Sequence, residues 1–288
     1  MEITFKPSSV NNLEKYIALY KSCFPEASHL QFDYLSWLYY ANPMGEAIGA
    51  DAWCDDNIVG QVMAVPGKYF FRDEIVKGLL AVNVVVHPSC QGRHLFKKLG
   101  LRMCEYGAHA GYDFVIGVAN RAATLLWVRQ MGFQLVIPLE ARVGVGTLSL
   151  KKRASEIINS TELRHLWDEN SILWRLNNPS KDIFLGRDTK TGWATAYAPT
   201  GKFGITATAE FPLDAGDIDN LQPRIFQPFL PRLFLGLVPT YSFGNCYVKI
   251  PERMKQSPLN LIFKNLIDSK DRVDPFSCFI NFLDFDAF

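Results

Sequence analysis

The alternation of apolar and polar positions changes period several times along the chain, most sharply between residues 78 and 105. Leu79 to Val86 is apolar apart from Asn83 and rich in valine, the pattern of a strand covered on both faces rather than of a helix. Pro88 stops it. From Leu95, Leu99 and Met103 recur every four residues with Phe96 near the same face, while Lys97, Lys98, Arg102 and Glu105 point mostly outward, which is the helical period. A helix therefore begins between Gly92 and Leu95. Its first N–H groups lack intrahelical acceptors and add to the helix dipole, so the turn reads as a phosphate site with Arg93, Lys97 and Lys98 alongside.

The flanking pattern predicts a strand at Ile3 to Lys6, then a helix capped by Ser9 or Asn11 and running to Phe24. Gln31 to Tyr40 (QFDYLSWLYY) is densely aromatic and ends in the turn Asn42-Pro43-Met44-Gly45. It fits a core helix and, alternatively, the wall of a substrate groove, with Trp37, Tyr39 and Tyr40 as contacts. A hairpin follows, Ala47 to Cys54 and Ile58 to Val65 about Asp55-Asp56-Asn57, which Tyr69 to Phe71 and Ile75 to Gly78 prolong into the central strand. Beyond the central helix, which Gly107 and Gly111 bring to an end, come a strand at Phe114 to Val118 and a helix at Ala122 to Met131 stopped by Gly132. Strands at Phe133 to Ile137 and Ala141 to Val145 close the series. The order predicts an α/β (α+β) fold, a mixed central sheet flanked by helices.

At Lys151-Lys152-Arg153 the character changes, and a boundary at about 147 to 160 divides the chain into residues 1–150 and 151–288. The second part predicts a helix at Thr161 to Asp168, followed by Trp174 to Pro179, which echoes Trp37 to Pro43 with one residue fewer. A hairpin at Ile183 to Arg187 and Trp193 to Ala198, turning through Thr189 to Gly192, precedes a strand at Gly204 to Glu210. A helix from Ile218 to Leu237, carrying Pro223, Pro228 and Pro231, and a last strand within FSCFINFLDFDAF complete it. This suggests a degenerate internal repeat that has lost the phosphate turn.

Composition narrows the class without naming a reaction. With 288 residues, 48% apolar and 20% charged, the chain is an ordinary globular protein long enough for two domains. A net charge of +1 gives no field favouring nucleic acid or an anionic membrane. The start lacks a signal peptide pattern, and no stretch approaches a membrane span of about 20 apolar residues, so a cytoplasmic location is expected. The six cysteines form no Cys-x-x-Cys pair and read as reduced thiols, with no metal and no disulfide implied. Cys90, in the key turn, is expected as a solvent-facing thiol. The sequence leaves the oligomeric state open.

At Val84-Val85-Val86-His87-Pro88-x-x-Gln91-Gly92-Arg93 the chain resembles the GNAT superfamily of acyl-CoA-dependent N-acyltransferases. Asn120-x-x-Ala123 and Met131-Gly132-Phe133 resemble a second block of that family. The aromatic segment before Asn-Pro-x-Gly and the eroded second copy are similar to its larger two-lobed members, implying a GNAT-like domain over residues 1–150 and a degenerate GNAT-like lobe over 151–288. The resemblance implies that amides of Gln91, Gly92, Arg93, His94, Leu95 and Phe96, with Lys97 beside them, bind the pyrophosphate of acetyl-CoA or another acyl-CoA. Val84, Val85 and Val86 would face its pantetheine arm, with Val84 or Val85 supplying an oxyanion donor, and Asn120 would touch that arm where two strands splay. It implies transfer of an acyl group to the primary amine of a small molecule, without metal, near Asn83, His87 and residues 31–40. His94 and Phe96 replace family glycines, the usual acidic tyrosine falls on Trp127 or Val128, and no carboxylate lies on the central strand. His87 and His94 are left as titratable candidates, though His87 reads first as a turn residue before proline. Two alternatives stand beside the acyltransferase: a catalytically silent ligand- or partner-binding module, and an aminoacyl transferase using charged tRNA, which the charge argues against.

Overall fold

In chain order the elements are β1 (Thr4–Pro7), α1 (Leu13–Cys23), α2 (Phe32–Tyr40), β2 (Ile48–Cys54), β3 (Asn57–Phe71), β4 (Glu74–Val86), α3 (Leu95–His109), β5 (Phe114–Ala119), α4 (Arg121–Met131), β6 (Gln134–Pro138) and β7 (Glu140–Gly144). There follow α5 (Ala154–Asn159), β8 (Leu163–His165), α6 (Glu169–Leu176), β9 (Phe184–Asp188), β10 (Trp193–Pro199), β11 (Thr206–Pro212), β12 (Arg232–Leu237), β13 (Tyr247–Lys249), β14 (Asn260–Asn265), β15 (Cys278–Asn281) and the single turn α7 (Phe282–Phe285). This computed structural model describes residues 2–188, 192–201, 204–214, 231–243, 246–254 and 257–285. Among them no helix is long and apolar enough to cross a membrane.

The chain forms two compact units. The first comprises Met1–Gly67, Val76–Val136 and Asn260–Arg272. Its sheet runs β1-β2-β3-β4-β5-β14, antiparallel except between β4 and β5. The parallel β4–β5 pair is bridged by α3, whose buried face Leu95, Leu99 and Met103 packs with Leu79, Val115 and Ile262 of the sheet. Each such side chain contributes about 1.5 to 3 kcal/mol on leaving water, which explains why a helix with so basic a first turn still docks firmly. The strand expected to be covered on both faces is covered only in part: Leu79, Leu80 and Val85 are buried, whereas Ala81 to Val84 and Val86 are half-buried.

The second unit comprises Lys68–Ile75, Ile137–Leu259 and Val273–Phe288. The units therefore do not divide at residues 147–160: β7 belongs with the second, and β14 returns to pair along β5 of the first. In the second unit β10 pairs antiparallel with β9 and β11, while β12 lies parallel to β11 and antiparallel to β7 and β15. Trp167, Ile172, Trp193, Phe211, Phe234 and Phe279 form its core. Three expectations are corrected here. Thr161 to Asp168 is no helix, because Leu163 to His165 pairs with β15 and with Tyr69 to Phe71; the helix begins only after Asp168, whose carboxylate accepts from Ser171 N–H at 2.9 Å. Of the helix expected at 218–237, residues 218–230 lie outside the described residues, as do 189–191 of the predicted hairpin turn, while Arg232–Leu237 is the strand β12. The last strand is short, since Asn281 turns the chain into α7 by accepting from Leu283 N–H at 3.0 Å.

Each unit carries the same local device after an aromatic helix. Asn42 Oδ1 accepts from Met44 N–H, and Asn178 Oδ1 accepts from Ser180 N–H, both at 2.9 Å, with both asparagines buried.

In the second unit the His165 ring packs edge-on against Tyr69, with centroids 4.9 Å apart, and at 4.1 Å from Trp167. Burial, reinforced by Arg175 and Arg164, pushes its pKa down to about 3. A folded pKa below the unfolded one contributes stability above pH ~6.5 that is lost as pH falls toward ~3. His165→Phe, which keeps the ring and removes a buried Nδ1 with no partner among the described residues, is therefore expected to flatten the acid side of the stability profile. Chemical denaturation at pH 7, 5.5 and 4 checks this, the difference approaching about 1.4 kcal/mol per pH unit.

Candidate functional site

The site begins with a break in β4. Its pairing with β5 runs from Gly78 opposite Phe114 to Ala81 opposite Gly117 and stops there. Two residues later Asn83 adopts φ 41°, in the left-handed region, which asparagine tolerates better than most residues but which interrupts the strand pleat. Past this kink β4 stays beside β3, where His87 N–H donates to Val59 O at 2.8 Å. Alternation along the strand then places Val85 N–H toward β3 and the N–H groups of Val84 and Val86 toward the side that β5 has left. A free strand edge faces that opening.

The turn after β4 supplies donors. His87 caps the short 3-10 helix Pro88–Cys90, and α3 starts at Leu95 with His94 as its N-terminal cap residue, in left-handed conformation at φ 58°. Among the described residues no acceptor is found for the backbone N–H groups of Gly92 to Lys97; the next, Lys98, donates to His94 O at 3.2 Å. Six consecutive amides lie at the positive end of a 15-residue helix, rimmed by the exposed Arg93, Lys97 and Lys98, an arrangement whose partial charges favour an anion.

Free edge and turn share one cavity of about 480 Å³, within the range of small-molecule sites. β4 contributes Val84, Val85 and Val86, and the turn contributes Gln91, Gly92, His94, Leu95 and Phe96; Cys23 and Phe24 of α1's end and Leu126 and Gln130 of α4 complete much of the wall.

Comparison with known proteins identifies the fold. The acetyltransferase (GNAT) domain family matches residues 4–136. Residues 4–136 match that family's model and carry the GNAT-like fold. The fold is shared with solved structures over 92% of this chain: a protein of unknown function from Enterococcus faecalis described as a probable N-acyltransferase (11% identity, 73% of that chain, TM-score 0.62), and GCN5-related N-acetyltransferases from Anabaena variabilis (11%, 73%, 0.57) and Kribbella flavida (13%, 72%, 0.58). No curated protein sequence matches this chain.

Within the GNAT-like fold the structure gathers Val84, Val85, Val86, Gln91, Gly92, His94, Leu95 and Phe96 at one cavity, with Arg93 and Lys97 exposed on the same turn. The two residues in place of family glycines are accommodated differently. His94 takes the left-handed conformation itself, and Phe96 packs its ring on Trp127, edge to face at 5.4 Å. Trp127, only 2% exposed, is a core residue held also by Phe133. Asn120 caps α4, its Oδ1 accepting from Ala123 N–H at 2.9 Å, and is not among the residues that line the cavity. His87 holds Ser89, its Nδ1 lying 2.7 Å from Ser89 Oγ, so the structure gives it the turn role. Cys90, expected to face solvent, is fully buried in the cavity wall because the 3-10 helix folds it inward. All six cysteines are unpaired.

Trp37 and Tyr39 do not form an open substrate platform: they are 7% and 0% exposed, and Tyr40 is half-buried. Tyr39 has another place. Asn83 Nδ2 donates to its hydroxyl at 2.7 Å, and that hydroxyl lies 2.8 Å from Tyr20 OH. Tyr20 donates to Gln61 Oε1, and Gln61 Nε2 donates to Asp51 Oδ1 at 3.1 Å. Asp51, wholly buried, also accepts from Ser8 Oγ at 2.6 Å and Tyr16 OH at 2.8 Å. Burial raises the pKa of its carboxyl, while these donors oppose the shift; burial also lifts Tyr20 and Tyr39 above the ordinary phenol range. Sequence reading missed Asp51, Gln61 and Tyr20, whose only signal is a polar residue inside an apolar run.

The turn's backbone yields a stability test. A Cβ at Gly92 meets nothing within 4 Å, yet φ is +77°, so Gly92→Val is expected to cost about 1 to 2 kcal/mol from backbone strain alone. His94→Gly, which relieves the same strain, is expected to change stability by less than about 1 kcal/mol. Urea denaturation of the two variants checks both.

Proposed function

We propose that the protein transfers an acyl group, most simply acetyl, from an acyl-CoA to a primary amine of a small molecule, directly and without a covalent enzyme intermediate. One observation carries this reading: six open amides with a basic rim share a cavity with the free edge of a splayed strand, in a GNAT-like fold. The amides of Gly92 to Lys97 match a pyrophosphate, with Arg93, Lys97 and Lys98 adding charge. Val84 and Val86 present strand donors and acceptors to the pantetheine arm. When bound, acyl-CoA supplies an activated thioester whose thiol, of ordinary pKa about 8.5, leaves without strong assistance. Val84 N–H, on the open side, is the donor for the developing oxyanion. His94 lines the cavity and His87 is nearby in sequence, so these imidazoles are the candidates for proton acceptance from the amine. A small-molecule acceptor, rather than charged tRNA, accords with the net charge of +1, and a cytoplasmic location belongs to the same proposal.

A second reading, a silent module that binds acyl-CoA or another ligand, is favoured by one feature: among the described residues no carboxylate and no phenol lines the cavity. Release of CoA with any member of a broad amine panel refutes it.

Thermal denaturation with and without millimolar acetyl-CoA or CoA tests the main reading. Binding at 100 times Kd stabilises by about 2.7 kcal/mol, and absence of any stabilisation by either ligand sinks the proposal. Gly92→Val is expected to weaken CoA binding by roughly tenfold, about 1.4 kcal/mol, as titration calorimetry would show.

A further inference from the structure

The second unit holds a cavity of its own, of about 480 Å³, which shares no residue with the cavity of the first. It lies where β12 ends. At Gly236 that strand is paired on both sides, with Glu140 of β7 and with Asn281 of β15, and a Cβ there would lie 2.0 Å from Ile280 O. A glycine lets the three strands close up. After Leu237, opposite Ile280, the pairing stops and the chain turns through Thr240 at φ 55°. The space beyond is walled by the start of β7, by residues 240–243, and by Pro275, Phe276 and Cys278 at the start of β15. Protein interiors leave few voids larger than a water molecule, whereas this volume is that of a small-molecule site.

The walls are aromatic and already fixed. Phe243 packs against Phe234 and Tyr241, with ring centroids 4.9 and 5.0 Å apart, and the Arg142 guanidinium lies 4.3 Å from the Phe243 centroid. Tyr241 donates its hydroxyl proton to Leu148 O, which ties the ring to the main chain. Phe276, another lining residue, is 75% exposed, a phenyl left in water beside packed ones.

Charge on these walls is one-sided. Glu140 lines the cavity, but its Oε2 accepts from Arg142 Nε at 2.6 Å, so those two charges balance. Lys249 of β13 lines it too and lies directly opposite Arg142 in the pairing of β13 with β7, hence on the same face. It is exposed, and among the described residues no partner is found for its ammonium. Asp274 accepts from Ser277 Oγ at 2.6 Å within its own loop and does not line the cavity. One uncompensated cation therefore borders an aromatic chamber.

We propose that this cavity binds a small aromatic carboxylate, its ring among Phe234, Tyr241, Phe243 and Phe276 and its carboxylate paired with Lys249. A flat ligand meets such rings edge to face or offset, and walls fixed in advance spare part of the ordering cost of binding. A small anion without an apolar body leaves the rings unused, and an ammonium meets Lys249 with the same sign. The inference goes beyond the acyltransferase reading and does not depend on it.

Titration calorimetry on the full chain with 2-naphthoate tests it. Beside it run 2-naphthylmethanol and 2-naphthylmethylammonium, which keep the ring and change the charge, and decanoate, which keeps the charge and loses the ring. Saturable binding of 2-naphthoate is expected, unaffected by excess CoA and at least twofold tighter than that of the other three. Lys249→Gln is expected to weaken 2-naphthoate by about twofold to fivefold, the effect of an exposed ion pair, and to leave the alcohol unchanged. Phe276→Ser should weaken both. Phe243→Ala should weaken both by tenfold or more; where that variant fails to fold, the exposed Lys249 and Phe276 positions decide. The inference is overturned by no saturable binding of 2-naphthoate, by its displacement by CoA, by decanoate or the ammonium binding as tightly, or by indifference to either Lys249→Gln or Phe276→Ser. The acyltransferase reading is decided separately, by acetyl-CoA binding.

Discussion

The first unit depends on one backbone angle, the positive φ of Asn83 in β4. Up to Ala81 the strand is an ordinary member of a parallel pair. Beyond the kink it keeps β3 and loses β5, and from that loss come both the open strand edge at Val84 to Val86 and the space that becomes the cavity. A non-glycine residue in this conformation costs of order 1 kcal/mol or more and persists only when its surroundings hold it there. Here the Asn83 side chain is tied to Tyr39, itself fixed from Tyr20, Gln61 and Asp51. That hydrogen bond ties the kinked strand to a buried polar series.

The anion turn shows how a backbone site tolerates altered side chains. Phosphate recognition by a helix N-terminus is made by N–H groups and the dipole, so what matters is whether those groups stay reachable. Two positions where the resemblance would place glycine carry a histidine and a phenylalanine, and each finds a local accommodation: histidine is among the residues that enter the left-handed region, and phenylalanine packs against Trp127. The tryptophan at one of the two counts for the family's acidic tyrosine is then explained by packing, since it anchors Phe96 and Phe133 together.

The second unit has an element order similar in part to that of the first, with a Trp174-bearing helix, a buried asparagine turn, a hairpin, and a parallel pair in β11 and β12. Its central strand carries a different chemistry. Glu210 of β11 is buried and accepts from Ser149 and Leu150 N–H at 3.0 and 2.7 Å, so a carboxylate, absent from residues 79–86 of β4, is present here as a fastener for the start of the 3-10 helix Leu150–Arg153.

Periodicity, prolines and caps along the sequence were enough to set the order of strands and helices from residue 3 to residue 145, the start of α3 and the exposed basic turn, because these follow from neighbours three or four residues apart. The same reasoning misplaced a helix at Thr161 to Asp168 and another over Arg232–Leu237, where pairing with distant strands outweighs local preference. The family resemblance, not periodicity, pointed to Val84, Val85 and Val86; local reasoning put Cys90 in solvent and left Trp37 and Tyr39 open between a core helix, which they form, and a groove wall. What only the tertiary structure decided is which polar groups meet: Asp51, Gln61, Tyr20, Tyr39 and Asn83 come from β2, β3, α1, α2 and β4. No spacing along the chain encodes such a meeting. It exists because burial leaves each of those groups a single place to put its hydrogen bonds.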